Sequence, residues 1–299
     1  MPLFLELSPL SLWTRYLRPW GMHWEFEAME VENSTLEQGK ALAAIEVEGL
    51  TLRHGERVLM SQISFSVEPG EIFAIIGGSG CGKSTLLSYL NGLRTPSPGE
   101  GHLQFFGEDA DELFSASDGR RPRTCGVLFQ GGALWTSMTL LENVSLPLQR
   151  HTFFSSEEIT DLAAFKLALV GLQGFEDHYP HEISGGMAKR AGIARALSLD
   201  PKILFLDEPS AGLDPVTSRH LDELILSIRQ SQGTVVVLVT HELSSIFTVA
   251  DRVAFLDKET QSLLQIGTPM GLAQSSPHSA VREFFAAGAI SRPQAKEHA

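Results

Sequence analysis

Nine residues, GGSGCGKST at 77–85, bring four glycines, a lysine and three hydroxyls together in one short loop. They fit the pattern G-x-x-x-x-G-K-[ST], between an apolar strand-like run, EIFAIIGG at 71–78, and a helix-like run, KSTLLSYLNGL at 83–93. A strand entering such a loop and a helix leaving it aim successive backbone N–H groups at one anion. This makes Gly77, Gly78, Ser79, Gly80, Cys81, Gly82, Lys83, Ser84 and Thr85 candidate phosphate-binding residues. The amides from Gly78 to Ser84 can surround α- and β-phosphates, Lys83 reaches β and γ oxygens, and the Ser84 hydroxyl suits Mg²⁺. Cys81 is most simply a small residue facing the phosphate, with a redox switch as the alternative.

A second group ends an apolar run. ILFLDE at 203–208 places Asp207 and Glu208 at the mouth of a strand. Charges there are unfavourable unless paired or given to a metal. Asp207 suits Mg²⁺, usually through water, and Glu208, one residue on, points differently, toward an attacking water. The plainer alternative is that the two acids cap the next turn. Gln130 ends VLFQ and His241 ends LVTH. Both stand where strands of open α/β sheets finish and where such sheets bind ligands, although a lone Gln or His there is often structural. Finally, ISGGMAKR at 183–190 exposes amides at a two-glycine helix start. With no lysine placed to grip phosphate deeply and no acid for a metal, it reads as half of a phosphate site.

Positioning these groups takes a large α/β scaffold. The chain has 299 residues, 43% of them hydrophobic, enough for one such domain with an added lobe. AIEVEGLTL alternates like a strand, and RHGERVL turns into a second, SQISFSVEPGE. TCGVLFQ, KILFLDEP and TVVVLVTHE read as further strands, and residues 215–230 as a helix with Leu221, Leu224, Ile225 and Ile228 on one face. A capping box from Ser155 to Glu158 opens another helix that ends at Gly171. Strands alternating with helices predict a P-loop NTPase core with a mostly parallel sheet, an antiparallel β subdomain and a helical insertion at about 131–190. The expected division is an N-terminal extension over 1–44, an ATPase domain over 45–270 and a tail over 271–299.

Charge narrows the function classes. Lys plus Arg total 23 against 36 Asp plus Glu, a formal charge of −13, which makes the chain a poor candidate for wrapping nucleic acid. Two cysteines, Cys81 and Cys125, make no disulfide framework. The longest apolar run, TVVVLV at 234–239, is far below the roughly 18–20 residues of a membrane span. Residues 1–44 stand apart, with Trp13, Trp20 and Trp24 beside Arg15 and Arg18. They read either as a start upstream of a true initiator at Met22 or Met29, or as an interfacial membrane anchor.

The order of P-loop, Gln130, SGG, Asp-Glu, Asp214 and His241 resembles the ATP-binding subunit of ABC transporters, over roughly residues 45–270. The resemblance implies ATP and Mg²⁺ as ligands and two chains closing head to tail on two ATP molecules. Ser184, Gly185 and Gly186 of one chain would then face the γ-phosphate in the partner's P-loop. By the same resemblance, Gln130 touches Mg²⁺ and senses the transmembrane partner, Glu208 is the general base, and His241 contacts the γ-phosphate. Ser210 to Asp214 match the loop that crosses the dimer interface. Two departures stand out. The adenine-stacking aromatic is replaced by His54 or Arg53, and Met187 stands for the usual glutamine, which is not a phosphate ligand.

GGMAKRAGIARALSLDP, GALWTSMTLLENVSLPL and AVREFFAAG further resemble the ATPases of lipid-trafficking systems, of the maintenance-of-lipid-asymmetry and Mce type. That subgroup implies a permease dimer, an MCE-domain partner, phospholipid as cargo and a place on the cytoplasmic face of the inner membrane. Apolar Trp135, Met138, Leu140 and Leu141 suggest a permease-facing surface, with core packing as the alternative. The tail pattern Val281, Phe284, Phe285 suggests packing on its own domain, on the twin subunit or on a small regulatory protein. The alternatives are an ATPase subunit of a small-solute importer, for amino acid-like cargo, and an ABC ATPase acting in DNA repair or translation. The latter usually has a long coiled-coil insertion or two fused cassettes, and this chain shows neither.

Overall fold

The structure, a computed structural model, describes residues 42–115 and 124–290. Trp13, Trp20, Trp24, Arg15, Arg18 and the closing SRPQAKEHA lie outside the described residues. In chain order the elements begin with β1 (Ile45–His54), β2 (Arg57–Val67), β3 (Ile72–Gly77), α1 (Lys83–Leu90), β4 (His102–Phe105) and β5 (Glu108–Asp109). Then come α2 (Ala110–Ser115), β6 (Cys125–Leu128), α3 (Leu140–His151), α4 (Ser156–Leu169), α5 (Gly185–Ala196) and β7 (Ile203–Asp207). The chain continues through α6 (Pro215–Gln232), β8 (Val235–Val239), α7 (Leu243–Val249), β9 (Arg252–Asp257), β10 (Ser262–Gly267), α8 (Pro269–Ser275) and α9 (Ser279–Ile290).

Six strands form the central sheet in the order β10-β9-β3-β8-β7-β6. All neighbours are parallel except β10, which folds back antiparallel on β9. The second sheet, β2-β1-β4-β5, is antiparallel throughout. The apolar runs read from the sequence follow from this arrangement, because the middle strands are covered on both faces. Val235, Val237 and Val239 of β8 face the core shared with the antiparallel sheet and α1, whereas Val236 and Leu238 face the core beneath α3–α6. Phe205 and Leu206 of β7 divide in the same way. Burying one such side chain is worth about 1.5–3 kcal/mol, so the sheet is anchored on both sides by many comparable increments.

Between β6 and β7 the chain makes α3, α4 and α5. Two capping boxes start the first two: Thr139 with Glu142, and Ser155 with Glu158. Leu140 is fully buried and Leu141 packs against the same core, which corrects their assignment to a permease-facing surface. Helix α3 must bury an apolar face on α4 and α5, and Leu140, Val144 and Leu148 supply it, with Leu141 at its margin. Trp135 remains 57% exposed. The loop that carries it is fixed by fully buried Asn143. The Asn143 Oδ1 accepts from Trp135 N (2.8 Å), and its Nδ2 lies within hydrogen-bond distance of the carbonyls of Trp135, Met138 and Thr139.

The C-terminal helix packs on its own domain. Val281 and Phe285 of α9 are buried with Ala74, Ile76, Ile246, Val253, Phe255 and Leu272. Phe285 is 4% exposed, and its ring meets Phe247 at a centroid distance of 5.6 Å. Large-to-small changes leave a cavity. Phe285→Ala is expected to destabilise the chain by about 3–5 kcal/mol, read as a fall in the thermal or urea midpoint. A midpoint equal to wild type would mean that α9 is dispensable to the fold.

Candidate nucleotide site

The loop 77–82 turns from β3 into α1 through three positive-φ glycines. Gly77 has φ 146, and a Cβ there would sit 2.2 Å from the Leu256 carbonyl oxygen, so only glycine fits. Gly82, φ 104, is the N-cap of α1 and offers no side-chain cap, so the first amides of α1 depend on another acceptor. Lys83 Nζ donates to the carbonyls of Gly77 (2.9 Å) and Gly78 (3.1 Å), folding back over the loop it leaves. Gly78, Ser79, Gly80 and Ser84 are exposed on the same loop, with Gly82, Lys83 and Thr85 half-buried. Cys81 is 2% exposed, and burial pushes its thiol pKa up despite Lys83 nearby. A protonated, enclosed thiol is a poor nucleophile, which favours the small-residue role over the redox switch.

Strands β7 and β8 end beside this loop and bring Asp207, Glu208 and His241 together. Burial raises the pKa of Asp207, the neighbouring Glu208 charge adds to this, and a hydrogen bond with Ser84 and the charge of Lys83 oppose it. Asp207 Oδ1 is buried without a hydrogen-bond partner. A hard divalent cation takes carboxylate and hydroxyl oxygens, so the residues present fit Mg²⁺ held by Ser84 and Asp207. Glu208 is forced into the left-handed region, φ 49, with its amide donating to Val239 O (2.8 Å). That conformation separates its side chain from that of Asp207 and sets its Oε1 2.9 Å from His241 Nδ1. His241 is 57% exposed, whereas Glu208 is 13% exposed.

The remaining candidates fall in distinct places. Gln130 is exposed in the turn after β6, closed by Gly132 N donating to Phe129 O (2.9 Å). Ser184 is the N-cap of α5, its Oγ accepting from Met187 N (3.2 Å). Gly185 is open on every side, and Gly186 is packed so tightly on α6 that a Cβ would lie 2.7 Å from Thr217 Cγ2. The signature glycines therefore rest on the start of α6. Asp214 is the N-cap of α6, accepting from Val216 N (3.0 Å) and Thr217 N (3.1 Å), so its carboxylate is engaged within its own helix. Met187 is half-buried against the helical core. At the β1–β2 hairpin, Arg53 is engaged by Glu100 (Nε to Oε1, 2.6 Å), which leaves exposed His54 at the tip.

Three side chains that sequence reading passed over organise the site from outside. Lys189 and Arg195 lie on α5. Arg195 donates to the carbonyls of Ala133 (2.8 Å) and Gly132 (3.2 Å), just past Gln130. Gly192 is packed so that a Cβ would meet Leu128 at 2.6 Å and Gly132 O at 3.1 Å. Asn143 is the third. The acceptors of Lys189 and Arg195 are backbone groups distant in sequence, so no local spacing gives those two away, whereas Asn143 reaches carbonyls four to eight residues back. The only cue was the run of cations in MAKRAGIARA.

Chemically, the arrangement combines an anion-binding loop, a metal-ready carboxylate, and a second carboxylate paired with an imidazole. A family model described as ABC transporter matches residues 60–211. The "Probable ribonucleotide transport ATP-binding protein mkl" of Mycobacterium tuberculosis H37Rv is 42% identical over 243 residues, covering 81% of this chain. The chain spans 66% of the length of that relative. The "Intermembrane phospholipid transport system ATP-binding protein MlaF" of Escherichia coli K12 is 35% identical over 242 residues, covering 81% of this chain and 88% of MlaF. Among solved structures, the dimeric post-hydrolysis ATP-binding cassette MJ0796, bound to ADP and Pi, superposes with a TM-score of 0.67 at 29% identity, covering 75% of this chain and 98% of that one. Cassette cbiO1 from Clostridium perfringens, described as part of the complex cbiONQ, gives 0.69 at 26%, covering 79% and 92%. With the loop, the two acids and the sheet order all in place, the chain belongs to the ABC transporter family and carries its ATP-binding domain.

Proposed function

We propose that this chain is the ATP-hydrolysing subunit of an ABC transporter that moves phospholipid between envelope membranes. It would act on the cytoplasmic face of the inner membrane as a homodimer, through a separate permease and an MCE-domain partner, with a small regulatory subunit as a further associate. The observation that carries the ATPase reading is the meeting of Glu208 with His241 at 2.9 Å beside the Lys83 loop. The cargo reading is supported by the likeness to MlaF, which extends over most of that protein.

In this reading ATP lies against α1, its adenine on His54 and its phosphates on the amides of residues 77–85. Lys83 exchanges its two loop carbonyls for β and γ oxygens. Ser84, Asp207 and Gln130 would hold Mg²⁺, which would supply neutralisation of phosphate charge. Ser184, Gly185 and Gly186 of the partner chain close over the γ-phosphate. A water molecule attacks γ-phosphorus in line with the bridging oxygen. The Glu208 carboxylate accepts the water proton, the P–O bond to the leaving group breaks, and ADP and inorganic phosphate result. His241 holds the Glu208 carboxylate through Nδ1–H, and as an imidazolium it would donate its other ring N–H to a phosphate oxygen. Asp214 contributes by shaping the loop 210–214 as a cap.

The test is to tag the chain, solubilise native membranes gently, and identify by mass spectrometry the proteins and lipids that co-purify. A permease with an MCE-domain protein and phospholipid supports the reading; a permease with a soluble solute-binding protein shifts the cargo to a small solute. The name of the mycobacterial relative makes a ribonucleotide the first solute to look for. Trp135→Glu, on the exposed loop after Gln130, is expected to cut permease recovery at least about tenfold, the effect of burying an unpaired charge in an interface, with nucleotide binding unchanged. Equal recovery would remove this loop from the permease contact.

A further inference from the structure

Lys189 is a buried cation with no part in the chemistry above. It lies in the first turns of α5, five residues after Ser184, and is 9% exposed. An ammonium removed from water is costly unless its protons are all received. Burial lowers its pKa, while Glu208 acts in the opposite sense. Its partners are not carboxylates: Nζ donates to the carbonyl oxygens of Glu208 (3.2 Å) and Ala211. These two carbonyls bracket one turn, closed by Ala211 N donating to Glu208 O (3.3 Å). The turn begins at Glu208, whose left-handed conformation any residue other than glycine adopts only under constraint. On the other side, Glu208 N is held by Val239 O (2.8 Å), two residues before His241. The peptide of Glu208 is thus gripped from β8 and from α5 at once.

We infer that Lys189 is a positioning residue: its ammonium fixes the Glu208–Ala211 turn so that the Glu208 carboxylate meets His241, and it ties that turn to the helix opened by Ser184–Gly186. The inference rests on Glu208 being the base. Because Ser184–Gly186 serve the partner's nucleotide in that reading, Lys189 joins the contact made on one ATP to the base acting on the other. Nothing in this role touches the bound nucleotide of the same chain, which separates it from a binding contact.

The experiment uses the full-length chain, with phosphate release and a fluorescent ATP analogue as readouts. Lys189→Met keeps the length and apolar stem and removes all donors; Lys189→Arg keeps the charge and donors. Lys189→Met is expected to lower kcat at least about tenfold with KM and analogue affinity within about twofold, and Lys189→Arg to recover most of kcat. A near-normal kcat in Lys189→Met overturns the inference. So does a loss in which kcat and analogue affinity fall together and Lys189→Arg falls with them, the signature of a role in packing alone. If Lys189→Met does not fold, Lys189→Gln, a shorter neutral donor, takes its place. An intermediate kcat at unchanged KM then supports the inference, and a wild-type or packing-type profile overturns it. A wild-type chain that releases no phosphate, or a Glu208→Gln variant that releases it normally, would instead defeat the proposed function.

Discussion

Glu208→Gln is expected to bind ATP as wild type does, to hydrolyse it at least about a hundredfold more slowly, the span of general-base catalysis, and to accumulate as a closed dimer. The amide is nearly isosteric with the carboxylate, so the turn and the His241 contact at 2.9 Å keep their shape. What is lost is the capacity to accept a proton from water. Phosphate release and size-exclusion chromatography with and without ATP measure the two halves of the prediction. Turnover near that of wild type would move the base elsewhere.

Lys83→Ala should leave the fold intact and weaken ATP binding by at least about a hundredfold, the loss expected when a charge-assisted phosphate contact disappears. The fold survives because the Nζ partners of Lys83 are the Gly77 and Gly78 carbonyls of its own loop, which lies at the surface of the site. Binding suffers because α1 has a glycine N-cap and no acid in its first turn, and Lys83, its first residue, is the cation folded over the loop. Titration with a fluorescent ATP analogue measures the change. Unaltered affinity would mean that the loop amides alone hold the nucleotide.

Much of this was written locally. A P-loop needs its glycines and lysine within nine residues, and β7 must end in its acids, so GGSGCGKST and ILFLDE could be read directly. The capping box at Ser155 and the apolar face of α6 were equally local. What escaped depended on distance in the chain. Lys189 reaches 19 and 22 residues to its acceptors, and Arg195 reaches 62 and 63. The engagement of Arg53 could not be read either, because its partner Glu100 lies 47 residues away. Leu140 and Leu141 misled because an apolar residue after a loop looks the same whether its helix faces a partner or a neighbouring helix. The hairpin of β9 and β10 went unread because DRVAFLDKETQSLLQIG mixes strand residues with a polar turn whose cap, Asp257 accepting from Thr260 N (2.9 Å), is irregular in spacing.

The φ of 49 at Glu208 carries a consequence for anyone who would make this chain sturdier. A non-glycine residue in that region costs about 1–3 kcal/mol. Selection for folding alone would therefore drift toward glycine at 208, relieving that strain and discarding the proton acceptor. Stability and turnover are opposed at this one position, and a screen that scores only melting temperature or yield would enrich inactive protein.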